Sequence, residues 1–237
     1  MSLSEYKKKL TRLKINRTSP HKICMLLAVL DLARSGALTA NRIEYSPGLL
    51  ERYAKYFSAV RTSGDHPNPY FPFFHLKGKL TNNEVSFWHL VAVPGREAIL
   101  DGMTTVRSSR DITENISYVE LDPELFQLFG NSQALEELAD TLGNYWFDRG
   151  LQDLNSVVAQ GKLISKYEHR LRELGVSAAS EPSPPAYVRS PAFRRVVTEI
   201  YDYRCAATGL RLLLNGIAMV EAAHIHPFSF SGNDDPR

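Results

Sequence analysis

His224 and His226 stand two residues apart in the run VEAAHIHPF, beside a polar loop, SGNDDPR. A neutral imidazole can take a proton from water near pH 7, so a histidine closing a strand is a candidate general base. A second pair, His21-Lys22, opens the apolar run ICMLLAVL. It sets an imidazole and an ammonium at a predicted helix start, where unpaired backbone N–H groups attract anions. A third group, Tyr70-Phe71-Pro72-Phe73, offers flat carbon surfaces inside a proline-rich stretch. Proton abstraction, anion capture and burial of a poorly hydrated group are the chemistries on offer. Each group also has a plainer reading. Histidines in AHIHP can be ordinary polar residues of a hairpin, and PYFPFFHL can be an aromatic core strand entered through a proline loop. His75 and His89, each within an apolar stretch, read as core histidines rather than ligands.

Composition sets the frame for these residues. A chain of 237 residues can bury a real core and has room for two domains. Hydrophobic residues at 43% and charged residues at 23% exclude a disordered chain. The net charge of +2 carries no overall polyanion signature, but its distribution is uneven. Lys7, Lys8, Lys9, Arg12, Lys14, Arg17 and Lys22 come with no acid among them, while acids crowd into 111–140. The basic end is either a contact surface or a solvated helix face. Cys24 lies in an apolar run far from Cys205, which argues against a disulfide framework. Asp31 interrupts MLLAVLDLA, and no run reaches the roughly 18 apolar residues of a membrane span. The expectation is a cytoplasmic protein with no membrane partner.

The elements that must position the candidate groups predict an α+β fold. Helices are expected at Ser4–Leu13, at Pro20–Arg34 with Ser19 as N-cap and Gly36 as the stop, and at Pro47–Val60. HPNPYFPFFHLKGK reads as a loop leading into strand-like segments around VSFWHLVAV, with turns at Gly78 and Asn82-Asn83, in a small antiparallel sheet. Tyr118–Leu121, Asp122–Phe129, Ser132–Trp146 and Leu154–Leu174 read as helical, with Asp122-Pro123 a helix start. Residues 1–175 then form one domain, and 176–186 (VSAASEPSPPA) a proline-stiffened linker. Residues 187–237 form a second unit, small enough to need a metal, a disulfide or a partner. Within it, SPAFRRVVTEIYDYRCAATG reads as a helix running into a turn at Thr208-Gly209. LRLLLNGIAMVEAAHIHPF reads as two strands joined by Asn215-Gly216.

The run YRCAATG…VEAAHIHPFSFSGNDDPR resembles the opening of an HNH endonuclease, the ββα-metal fold, in the form seen in restriction enzymes. The resemblance implies that His224 ends the second strand and acts as general base. It also implies a divalent metal, Mg²⁺ or Mn²⁺, held partly by a later histidine on a helix that opens with an asparagine. The chain stops before both, and Asn233 belongs to the loop by position. Ala223 replaces an aspartate that often binds metal in the family. Cys205 followed by Thr208 excludes the zinc knuckle of cysteine-paired relatives. On this reading the chain is a partial HNH unit.

SPHKICMLLAVLDL together with HPNPYFPFFHLKGK resembles the sulfur-binding domain of McrA-like type IV restriction endonucleases, which recognise phosphorothioated DNA. The resemblance implies a DNA site at His21, Lys22, Phe71, Pro72 and Phe73, without a cofactor. Tyr70 becomes the lid if the register slips by one. Arg96 is an arginine contact from a later loop, with Arg107 and Arg110 as rivals. The physics is independent of the family: sulfur on a phosphate is larger and less hydrated than oxygen, so an apolar cup gains by burying it. Surrounding cations hold the remaining charge and make affinity salt-dependent. The combined expectation is modification-dependent recognition of double-stranded, phosphorothioated DNA coupled to HNH cleavage, and a homodimer would suit the half-sites such enzymes meet. The alternatives are a general nucleic-acid-binding module without sulfur preference, using the basic N-terminal helix, and a partner-binding domain whose charges are solvent dressing.

Overall fold

Ser2 opens the first helix, α1 (Leu3–Thr11), with a capping box: its hydroxyl accepts from the Glu5 amide while the Glu5 carboxylate accepts from the Ser2 amide. The computed structural model describes residues 1–15, 19–147, 154–174, 184–232 and 234. The second helix, α2 (His21–Arg34), starts one residue later than the sequence suggests. Pro20 takes helical dihedrals at the N-cap position, so the expected Ser19 cap does not form. The Ser19 hydroxyl instead meets His21 Nδ1 at 2.8 Å. Every residue from Ile23 to Leu32 is buried. Gly36 ends the helix at φ +75°, and a Cβ there would meet His169 Nδ1 at 2.9 Å. Ser46 caps α3 (Pro47–Val60), whose bounds match the sequence expectation.

The next stretch departs from expectation. The predicted loop and strand around YFPFFH is a short helix, α4 (Tyr70–His75). Pro72 lies in its first turn, where a missing N–H leaves no helical bond unmade. β1 (Trp88–Ala92) pairs antiparallel with β2 (Ile116–Leu121), Trp88 facing Leu121 and Leu90 facing Val119. Tyr118–Leu121, expected to be helical, is therefore strand. Its β-branched and aromatic residues suit a pleated surface, and Ile43 bridges to Val119 on the other edge. Between the strands lie α5 (Glu97–Gly102) and α6 (Ser109–Asn115), two short helices that the sequence reading missed. α7 (Pro123–Leu128), α8 (Ser132–Phe147) and α9 (Leu154–Leu174) follow.

The predicted linker lies outside the described residues from 176 to 183. Beyond it come α10 (Ala186–Ile200), β3 (Leu213–Leu214), β4 (Ile217–Ala218) and α11 (Phe228–Ser231). Asn215 and Gly216 join β3 to β4 at φ +52° and +81°, as a two-residue hairpin turn requires. The architecture is α+β, with two small antiparallel sheets. No helix among the described residues is long and apolar enough to cross a membrane.

The main core surrounds α2, which packs against α3, α4, α8 and α9. A second apolar cluster joins Ile164, Tyr167 and Leu171 of α9 to Val188, Ala192, Phe193 and Val196 of α10. Charges bind the same helices. Glu168 of α9 pairs with Arg52 of α3 and, at 2.8 Å, with Arg195 of α10, all three side chains buried. Arg195 and Arg194 also hold Glu51 of α3, at 3.1 and 2.7 Å. Burial alone would push the Glu51 carboxyl up, but the two guanidinium groups outweigh it and hold the group below its usual range. Elsewhere the basic N-terminal run meets acids, with Lys9 buried and Lys7 and Arg12 nearer solvent. Lys7 pairs with Glu137, Lys9 with Asp122, and Arg12 with Glu84.

Glu168→Ala leaves the buried Arg52 guanidinium with no carboxylate and removes one of the two that Arg195 holds, and should cost about 3–5 kcal/mol in urea denaturation. Glu84→Ala, at an exposed pair, should cost less than about 1 kcal/mol. Equal costs would contradict the assignment of the buried pairs as the tie between α3, α9 and α10.

Candidate nucleic-acid interface

Because α2 is buried from Ile23 to Leu32, it reaches solvent only at its two ends, and His21 and Lys22 stand at the first of them. Lys22 lies there half-buried, its Nζ donating to the Lys14 carbonyl at 3.0 Å. Burial, and then the charge of Lys14, lowers its pKa from the ordinary lysine value. His21 is tied at both nitrogens. Nε2 lies 2.9 Å from the His66 carbonyl and donates to it, so Nδ1 accepts from the Ser19 hydroxyl. Its ring also packs 4.7 Å from that of Phe57. His21 thus fixes the segment leading into α4.

The four residues Tyr70 to Phe73 divide by helical geometry. Phe73 has no exposed surface: the Tyr45 ring meets it edge-on at 5.1 Å, and Trp88 Nε1 donates to its carbonyl at 2.8 Å. It is a core residue, which corrects its expected place in a DNA pocket. Pro72 is buried too and presents no open face. Phe71 is 37% exposed, and Tyr70 is half-buried with its ring 4.9 Å from that of Phe71.

His75 completes the surface. One helical turn after Phe71, its ring lies nearly parallel to the phenyl, 19° apart with centroids at 5.9 Å. The reading of His75 as a core histidine is corrected, since it is partly exposed. The signal was present in the i, i+4 spacing but depends on knowing that the segment is helical. Burial lowers the His75 pKa, and Lys22 and Lys77 lower it further. Lys77 lies 4.0 Å over the Phe74 ring and donates to the Met103 carbonyl at 3.3 Å. The structure therefore gathers His21, Lys22, Tyr70, Phe71, His75 and Lys77 where α2 begins and α4 lies.

The other candidates lie apart. Arg96 is exposed at the N-cap of α5, and among the described residues no side-chain hydrogen bond or ion pair ties it to α2 or α4. Arg107 is exposed, and Arg110 pairs with Glu114 at 2.6 Å. His89, expected in the core, is exposed and meets Asp122 at 2.7 Å. The Asp122 carboxylate also takes Lys9 and the Tyr6 hydroxyl, and these bonds overcome burial to lower its pKa.

His224 does not end a strand, because β4 stops at Ala218. Its ring stacks on Phe193 of α10, 7° from parallel with centroids 3.9 Å apart, and Nε2 lies 2.7 Å from Asp234 Oδ1. His226 is exposed, and Asn233 lies outside the described residues. The described residues about His224 do not suit the divalent metal expected of an intact HNH site. Both Asp234 oxygens are occupied, by His224 and Arg189 on one side and Tyr167 on the other. Among the described residues no three His, Cys, Asp or Glu side chains gather. With this geometry in hand, no protein-family model matches the sequence, and no curated protein matches it.

His75 gives the surface a pH signature. A histidine whose folded pKa lies below its unfolded value, about 6.5, stabilises the fold above that value and withdraws the stability as pH falls through the folded pKa. The melting temperature should therefore drop below about pH 6.5. His75→Gln should flatten that slope, and an unchanged slope would contradict the environment described.

Proposed function

We propose that this chain recognises the backbone of phosphorothioated double-stranded DNA at the junction of α2 and α4, in a reader joined to an HNH-type cleavage unit. The observation that carries the reading is the exposed Phe71–His75 stack beside Lys22. Carbon faces favour a thiophosphate sulfur, which loses little hydration on burial, over an oxygen that must be stripped of water. The Lys22 ammonium and the uncapped amides of the α2 first turn suit the remaining phosphate charge. With Pro72 and Phe73 interior, the contact reduces to Phe71, Tyr70 and His75. A general binder built on the basic N-terminal helix is less well supported, because Lys7, Lys9 and Arg12 are each paired within the protein.

In the cleavage half, His224 has the role of a base taking a proton from the attacking water. Among the described residues no side chains gather to hold a metal for this step.

In gel shifts at fixed salt, a duplex with a single phosphorothioate should bind more tightly than its ordinary counterpart, by a margin on the order of tenfold, or about 1.4 kcal/mol. Phe71→Ala should erase that margin while leaving the melting temperature nearly unchanged. Equal affinity of the unaltered protein for the two duplexes would overturn the reading. The 237-residue chain should also leave either duplex uncut in Mg²⁺ or Mn²⁺, and nicking by it would contradict the donor-set argument.

A further inference from the structure

We infer that Asp234 is a positioning residue for His224, holding the imidazole with its proton on Nε2 and leaving Nδ1 as the nitrogen able to take a proton. The inference rests on the base role proposed for His224 and adds a partner that the motif does not supply.

Asp234 is buried, and its carboxylate is aimed from two helices. The Tyr167 hydroxyl of α9 donates to Oδ2 at 3.0 Å, and Arg189 Nη1 of α10 donates to Oδ1 at 3.2 Å. Burial, and then the neighbouring Asp234 charge, raises the Tyr167 phenol and keeps it a donor. The Arg189 guanidinium is itself held 3.5 Å over the Phe228 ring, so the carboxylate has a fixed counter-charge. Oδ1, already carrying Arg189, then receives His224 Nε2 at 2.7 Å. A carboxylate can only accept, so Nε2 must bring the hydrogen. That leaves Nδ1 as the acceptor of the ring, and among the described residues it makes no hydrogen bond. The Phe193 face beneath the imidazole removes its remaining freedom to tip, and the Phe228 ring closes from the side at 5.9 Å.

A base fixed at its second nitrogen by a buried carboxylate is oriented and set in one tautomer before any substrate arrives. Such an arrangement is more than stacking needs, since Phe193 alone would retain the ring in either tautomer.

The test is long-range ¹H–¹⁵N correlation of the imidazole in the full chain, above the pH at which histidines are charged, with His224 assigned by loss of its signals in His224→Gln. The unaltered protein should show a single Nε2–H tautomer at His224, and Nδ1–H would overturn the inference. Asp234→Ala should give mixed tautomers with the His21 signals unmoved, and a retained single Nε2–H form would equally overturn it. Should Asp234→Ala fail to fold, the unaltered protein decides alone. No DNA enters the readout: a correct tautomer in a protein with no sulfur preference defeats the recognition proposal alone, and the wrong tautomer with sulfur preference intact defeats Asp234's role alone.

Discussion

A helix buried on every side leaves only its ends to act, and the chain is organised around one. From Ile23 to Leu32, α2 has no outward face, because α3, α4, α8 and α9 enclose it. The cation and amides that open it are the end of the helix that carries the candidate site, and the chemistry of that end is decided by what lies alongside. Here that neighbour is α4, whose six residues are split between Phe73 and Phe74, sunk in the core, and Phe71 and His75, turned outward. Anchoring by the inner pair makes the outer pair a rigid surface.

Electrostatics narrows the surface further. A basic N-terminal run suggests a nucleic-acid footprint when read as a charge count, yet much of it is spent on acids more than seventy residues away. The exposed pairs of Lys7 and Arg12 contribute little stability, but like the buried Lys9 pair they lower the positive potential those side chains show to solvent. The buried pairs are a separate matter. Glu168 of α9 stands between Arg52 of α3 and Arg195 of α10, so removing either partner would leave a buried charge uncompensated. The helix that carries Phe193, and with it the support of His224, is thereby held against the same body as the α2 end.

Much of this was legible where local rules decide. Pro47, Gly36 and Asn215-Gly216 each marked its boundary, because caps and turns depend on a few adjacent residues. The α4 segment was misread because its proline suggests a loop, whereas a proline in a first turn costs a helix nothing. Tyr118–Leu121 was misread because a strand is defined by its partners, Trp88–Val91 and Ile43, which no local window contains. The site followed the same division. His21, Lys22 and Phe71 were visible as residue types, but which aromatic faces outward required the helical phase. Asp234 could not be chosen from SGNDDPR without Tyr167, sixty-seven residues earlier in the chain.

The central claim is that the Phe71–His75 surface touches the modified linkage itself. The direct measurement is ¹⁹F NMR of the protein carrying 4-fluorophenylalanine at position 71, titrated with a short duplex bearing one phosphorothioate and with the same duplex bearing none. The account predicts a saturable shift of the position-71 resonance with the sulfur duplex and little change with the other. Binding of the sulfur duplex that leaves that resonance unmoved would contradict it.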